Sequence, residues 1–338
     1  MTKKIQFVSE HIRRYPFPVG VILFAGFVNS CVSFLLPVSI GEFFTIHFHT
    51  GGSKRKLLSW MGIHVHTLQG FYTLFITLLL LKAILSFAES LGSYRQGELF
   101  VKNIREKLFE SQMNWTPDLL SKNLYGKYLL RYSNDMKAVQ NYFTKGIIEG
   151  IKNVLFLMTG LFMLSRINLT LTIILFSILL VILIVTYFIA RFQRPSISAS
   201  RSHRSSLLAF VTKSFSRFQK LKQNQAKADI IENFNTRSDN LYHANMRSNK
   251  IESLLQSSNY FLVFTMIGIL LWQMTMSYSR ISASDGLMMI LMILMMQGAL
   301  KKILKVPGYL NKGKISLQKI NKVLQLEIKE SEPVIVSS

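Results

Sequence analysis

The sequence predicts an all-α membrane protein of six transmembrane helices with long cytoplasmic helical extensions. Three observations predict it. First, long windows carry no charge at all: Tyr15 to Gly41 is free of Asp, Glu, Lys and Arg over 27 residues, Ile167 to Ala190 over 24, and Ser253 to Ser279 over 27. Runs of about 18 or more such residues read as membrane spans, because only a helix satisfies its own backbone polar groups in hydrocarbon. Second, the 40 Lys and Arg stand in blocks between those runs. Third, the polar stretches between spans keep apolar residues at helical spacing, as in Val101, Ile104 and Leu108 among Lys102, Arg105 and Lys107.

The elements follow in order. Met1 to Arg14 places Ile5, Val8 and Ile12 on one face with Lys3, Lys4, Arg13 and Arg14 around it, the pattern of a short helix in the basic, cytoplasmic membrane interface. The stretch after it is too long for a signal-peptide core and lacks a small-residue cleavage site, so it reads as the first span, about Phe17 to Phe44, with a kink expected at Pro37. A loop from His47 to about Leu68 leads to a second span, about Gly70 to Ala88, whose helix continues into the cytoplasm and breaks at Trp115-Thr116-Pro117. Helical pattern resumes near Gly126. Span three is about Ile148 to Leu164, the turn Ser165 to Asn168 makes a hairpin, and span four reaches about Phe192. Some 60 basic, helical residues precede span five, about Leu254 to Tyr278. Span six is about Gly286 to Leu304, followed after Pro307 by an amphipathic helix with Leu317, Ile320 and Leu324 on one face.

The charges set the orientation. Under the positive-inside rule Lys and Arg remain cytoplasmic; 34 fall on one side, five (Lys54, Arg55, Lys56, Arg166 and Arg280) in the opposite loops, and Lys82 lies within a span. Both termini are then cytoplasmic, and the plasma (inner) membrane is the expected location. Net charge of +23 does not indicate nucleic-acid binding, because it is distributed by topology rather than gathered on one surface. The lone Cys31 excludes a disulfide framework.

Several side chains are candidates on chemistry alone. Lys82 is ionisable within a span, which marks a functional candidate; it also lies two turns from Glu89 with a stem long enough to snorkel, so structural and cavity roles both stand. His47-Phe-His49 and His64-Val-His66 could supply nitrogen ligands, but HxH presents both rings together only in a strand and no Cys is near, so no metal site is assigned. Met288, Met289, Met292, Met295 and Met296 spread around span six, some expected toward lipid and some toward a cavity, with simple packing as the plainer alternative. Gly308 to Ile315 has the GxxxxGK spacing of a phosphate loop, but Ile315 replaces the Mg²⁺-binding hydroxyl and no strand precedes it. No catalytic, cofactor-binding or metal residue is assigned.

Pro37 and Gly41 stand at the outer end of span one, and Ile104 to Phe109 lie in the first excursion, the polar extension between spans two and three. Gly126, Arg131, Asn134, Asp135 and Val139 continue the series, followed by Phe234, Ser284-Asp285-Gly286, Pro307 and Ser316 to Leu324. In order and spacing, these motifs resemble the transmembrane domain of ABC exporters, the six-helix type 1 exporter fold. The second excursion, between spans four and five, departs from it, with Lys213 where the family has Glu and Ser216 where it has Gly.

The resemblance implies three parts: an N-terminal interfacial helix (1–16), an exporter-like six-span domain (17–325) and a polar tail (326–338). It implies coupling helices at the excursion tips, Trp115 to Lys122 and Ser214 to Leu221. Trp115, Pro117, Leu119, Phe215 and Phe218, with Arg217, would there contact an ATPase; the alternative is that they cover the excursions' own helices. The expected function is a permease subunit of an ABC-type transporter, dimerised with itself or a related half. A separately encoded nucleotide-binding subunit that holds ATP and Mg²⁺ would drive it, and this chain itself is not expected to be an enzyme. Two alternatives are an orphan scaffold or regulator without ATP coupling, and a transporter truncated before its ATPase domain.

Overall fold

The structure, a computed structural model, describes residues 6–48, 67–115, 131–216, 227–275 and 281–331, and every regular element among them is helical. They are α1 (Gln6–Arg14), α2 (Pro16–Phe48), α3 (Leu68–Met113), α4 (Met136–Asn141) between π-helical turns Arg131–Asp135 and Tyr142–Ile148, α5 (Glu149–Ile167), α6 (Leu169–Ser216), α7 (Lys227–Thr275) and α8 (Ala283–Ser331). Among the described residues five segments are long and apolar enough to cross a membrane: Pro16–Phe48, Leu68–Met113, Arg131–Ile167, Ala228–Thr275 and Ala283–Gln325. Leu169–Val181, opening α6, is a shorter apolar stretch. The chain divides into two units, Met1–Ile173 with Ile269–Ser338, and Ile174–Gly268.

In the first unit, α1 buries Val8 and His11 and ends on Arg13 and Arg14, cations that suit a helix C-terminus. Val8, with Phe7 and Ile12 beside it, packs on the chain's own core. Pro16 opens α2, a position where its missing N–H costs nothing. The helix then continues through Pro37 to Phe48.

Thr67 caps α3, its hydroxyl accepting from Gly70 N at 3.1 Å. The 46 residues of α3 would extend about 69 Å, more than twice the hydrocarbon thickness. Its two halves treat apolar residues oppositely. Leu80, Ile84 and Phe87 are exposed, as hydrocarbon surroundings allow, whereas Phe100, Val101, Ile104 and Leu108 are at most 3% exposed. The helix ends at Met113, just before the Trp115-Thr116-Pro117 break.

A single residue, Asn168, separates α5 from α6; its side chain caps α6 by accepting from Leu171 N at 3.1 Å. The hairpin is thus tighter than the four-residue turn expected. Ser282 caps α8 by accepting from Asp285 N at 3.1 Å. The sequence suggests a separate closing helix after Pro307, but α8 runs unbroken through it. A proline removes one ladder bond, and Pro307 is itself exposed.

Among the described residues, two cores organise this unit. One lies along the extensions and joins Val8 of α1, Phe100 and Leu108 of α3, Val139 of α4 and Leu317 and Ile320 of α8. The other joins Val32, Leu35 and Leu36 of α2 to Leu78 of α3. Glycine notches filled by thioethers bring spans together. A Cβ at Gly41 would stand 2.3 Å from Met288 Cγ, and one at Gly160 would meet Phe34 Cζ at 2.6 Å and Met296 Sδ at 3.0 Å. Met288, Met289, Met292 and Met296 are all buried and Met295 half-buried. Their scatter around span six is therefore packing, because α8 has neighbours on several sides.

In the second unit α6 and α7 run antiparallel. Ser200 Oγ donates to Asn245 Oδ1 at 2.5 Å, Arg237 donates to Ser206 Oγ at 2.6 Å, and the Arg237 guanidinium lies 5.0 Å above the Phe210 ring. Leu175, Leu179, Val263 and Met266 are its buried apolar side chains.

Candidate functional site

Three spans of the first unit meet at a charged junction. Lys152, near the start of α5, donates to Glu89 Oε1 of α3 at 2.6 Å, and both side chains are about one-seventh exposed. Asn29 of α2 donates through Nδ2 to Glu89 Oε2 at 2.7 Å, and Ser93, one turn beyond Glu89, accepts from Lys152 at 3.4 Å. Gly26 provides the room: a Cβ there would stand 2.9 Å from Lys152 Cδ, so the lysine stem crosses α2 at the glycine. Asn29 Oδ1 is enclosed and has no hydrogen-bond partner. A carboxylate with both oxygens engaged and an ammonium beside it, in surroundings of low dielectric, form a pair whose halves are costly to separate.

Lys82, the ionisable residue singled out in the sequence, is not part of this junction; it is half-buried two turns away on α3. The junction's own signal was present but weaker: opposite charges, Glu89 and Lys152, near the ends of consecutive spans. Asn29, inside the first uncharged run, has no distinguishing mark in the sequence.

A second polar cluster fastens the extensions. Arg131 pairs with Asp135 at 2.5 Å across one π-helical turn, and Ser316 of α8 donates to the other carboxylate oxygen at 2.8 Å. Arg131 Nε is enclosed without a partner, and Tyr132 donates to Gln112 Oε1 at 2.5 Å. Arg131, Asp135 and Ser316, separate motif positions in the sequence, thus form one chain of contacts. Single π turns inside helices often accompany functional positions.

His11 holds α1 in place. Its Nε2 lies 3.3 Å from Gln96 Oε1, a carbonyl oxygen that can only accept, so Nε2 carries the proton. Tyr15, Phe100 and Phe143 surround the ring at 5.0–5.1 Å, and Nδ1 has no partner. Burial pushes the imidazole pKa below its ordinary 6.5; the Gln96 bond opposes that shift and Arg14 adds to it.

Of the expected coupling residues, Trp115 is 7% exposed and belongs to the chain's own extension core. Phe215, next to the end of α6, is 71% exposed. Pro117, Leu119, Arg217 and Phe218 lie outside the described residues. His47 stacks on Phe43 at 5.5 Å, while His49, His64 and His66 lie outside the described residues. Among the described residues no cluster of three His, Cys, Asp or Glu could hold a metal. The GxxxxGK segment lies within α8, where a Cβ at Gly313 would stand 2.1 Å from Tyr142 Cβ. That glycine is a helix-crossing contact, not a turn around phosphate.

Long apolar helices and interlocked motif positions are features of a multi-pass membrane protein. A comparison with curated proteins finds no match. The family model described as the ABC transporter transmembrane region matches residues 19–300, well over half of the chain, and the protein therefore belongs to that family.

Proposed function

We propose that the chain is the permease subunit of an ABC-type exporter, with six spans, cytoplasmic termini and a place in the plasma (inner) membrane. A separately encoded ATPase carrying ATP and Mg²⁺ sits on the extensions, and the membrane part works as a dimer with itself or a related half. The observation that carries this reading is the family match together with extensions that have a packed core of their own. Rigid levers of that kind pass motion from an ATPase to spans that alternate between inward- and outward-facing arrangements. Of the expected anchors, Phe215 suits the docking role best, since a large exposed aromatic side chain is typical of binding hot spots.

A second reading, a scaffold or regulator without ATP coupling, is favoured by one observation: Trp115 is used up inside the chain.

Affinity capture of the tagged chain in mild detergent separates the two. The exporter reading expects an ABC ATPase to be captured, and Phe215→Ala to weaken capture by about ten-fold or more with membrane insertion unchanged. Capture without any ATPase sinks it. Orientation is checked by single cysteines in a Cys31→Ser background, with labelling from outside at Ser53 and Ser279 and none at Asn123 or Ser238.

A further inference from the structure

The second unit contains a cleft of about 280 Å³ between α6 and α7, lined by His203 and Ser206 on one side and Asn233, Thr236, Arg237 and Asn240 on the other. No carboxylate lines it, although Glu232 and Asp239 are sequence neighbours of lining residues. Arg237, one of the lining residues, is held by the Ser206 oxygen at 2.6 Å and by the Phe210 ring at 5.0 Å. Each of those contacts leaves donors unspent. A guanidinium has five N–H groups, and Ser206, whose oxygen accepts from Arg237, keeps its own proton to give. Thr236 is engaged with the Glu232 carbonyl at 3.0 Å and the Asn233 amide with the Asp229 carbonyl at 2.8 Å, which leaves His203 and Asn240 as further donors. The α6 stretch that forms one wall, Arg191 to Ser216, carries Arg191, Arg194, Arg201, Arg204 and Lys213 and no acid.

We infer that this cleft is a binding site for a phosphate group, either inorganic phosphate or the phosphate of a small soluble metabolite. A fixed guanidinium with converging hydroxyl, amide and imidazole donors and no competing carboxylate matches a tetrahedral oxyanion. The volume admits a phosphate with a small organic carrier. A soluble source fits better than a lipid headgroup. His203 stands 13 residues beyond the uncharged run that ends at Ala190, about 20 Å of helix, whereas headgroups extend only about 5–8 Å past the hydrocarbon. This choice of source rests on the proposed topology; the binding itself does not.

The test is calorimetric titration of the full chain in phosphatidylcholine nanodiscs with inorganic phosphate, at constant ionic strength in chloride. Saturable binding is expected, weakened at least ten-fold by Arg237→Gln and several-fold by the milder Ser206→Ala, with helical circular dichroism unchanged. Arg204→Gln, which removes a charge from α6 outside the cleft, is expected to leave affinity within two-fold. No saturable binding, or an Arg204→Gln loss equal to that of Arg237→Gln, overturns the site in favour of diffuse charge attraction. Phosphate displaced by phosphatidic acid added to the nanodisc overturns the soluble source.

Discussion

Ser316 donates its hydroxyl to Asp135 across 181 residues of sequence, joining the last helix to the turn that precedes the third span. Asp135 Oδ1 takes that bond while Oδ2 is held by Arg131, so one carboxylate anchors two partners. Removing the carboxylate is expected to cost far more than removing the hydroxyl. Asp135→Ala leaves the largely buried Arg131 uncompensated, about 3–5 kcal/mol, whereas Ser316→Ala loses one hydrogen bond, about 1–2 kcal/mol. Denaturation in detergent measures both; equal effects would show that Arg131 finds another partner.

The Glu89–Lys152 pair is expected to behave as a unit. Lys152→Met or Glu89→Gln alone should destabilise by about 3–5 kcal/mol, because each strands a charge in low dielectric. The double variant should recover much of that loss. A double-mutant cycle with strictly additive effects would mean the two charges are not coupled.

His11 predicts a pH dependence with a definite sign. The folded chain binds the imidazole proton less readily than the unfolded chain, so stability rises with pH across the window below 6.5. The contribution is complete above 6.5 and is lost as pH falls from there toward the depressed folded value. Trypsin cleavage at Arg13 and Arg14 should accelerate on acidification. His11→Phe, which keeps an aromatic ring among Tyr15, Phe100 and Phe143, should abolish that acceleration. Acid-sensitive cleavage persisting in His11→Phe would place the switch elsewhere.

Gly313 and Lys314 give opposite expectations. Gly313→Val forces a side chain into Tyr142 and should cost at least about 1–3 kcal/mol. Lys314→Ala touches an exposed side chain and should change stability by less than about 0.5 kcal/mol. If Lys314→Ala were the damaging one, a phosphate role for the segment would have to be reopened.

By itself the sequence determined the class of the protein. A run without charges has few places to go except hydrocarbon, and the blocked Lys and Arg gave the expectation of which ends face the cytoplasm. The break after Met113 was legible because Pro117 cannot continue a helix and disfavours helical backbone just before it. Tertiary structure decided which polar residues matter. Glu89, Lys152 and Asn29 lie on three helices, and nothing local records that three helices cross at the same depth. Lys82 was more conspicuous only because it interrupts an apolar run. The same holds for Trp115, which looks like a surface anchor at a helix end until α4 and α8 supply the core that covers it. The methionines of span six have no discernible face in the sequence, because a helix with neighbours on several sides buries residues all round. Periodicity reports one environment per helix face; a crossing point is set by glycines, charges and side-chain lengths on separate elements, and exists only once they are packed together.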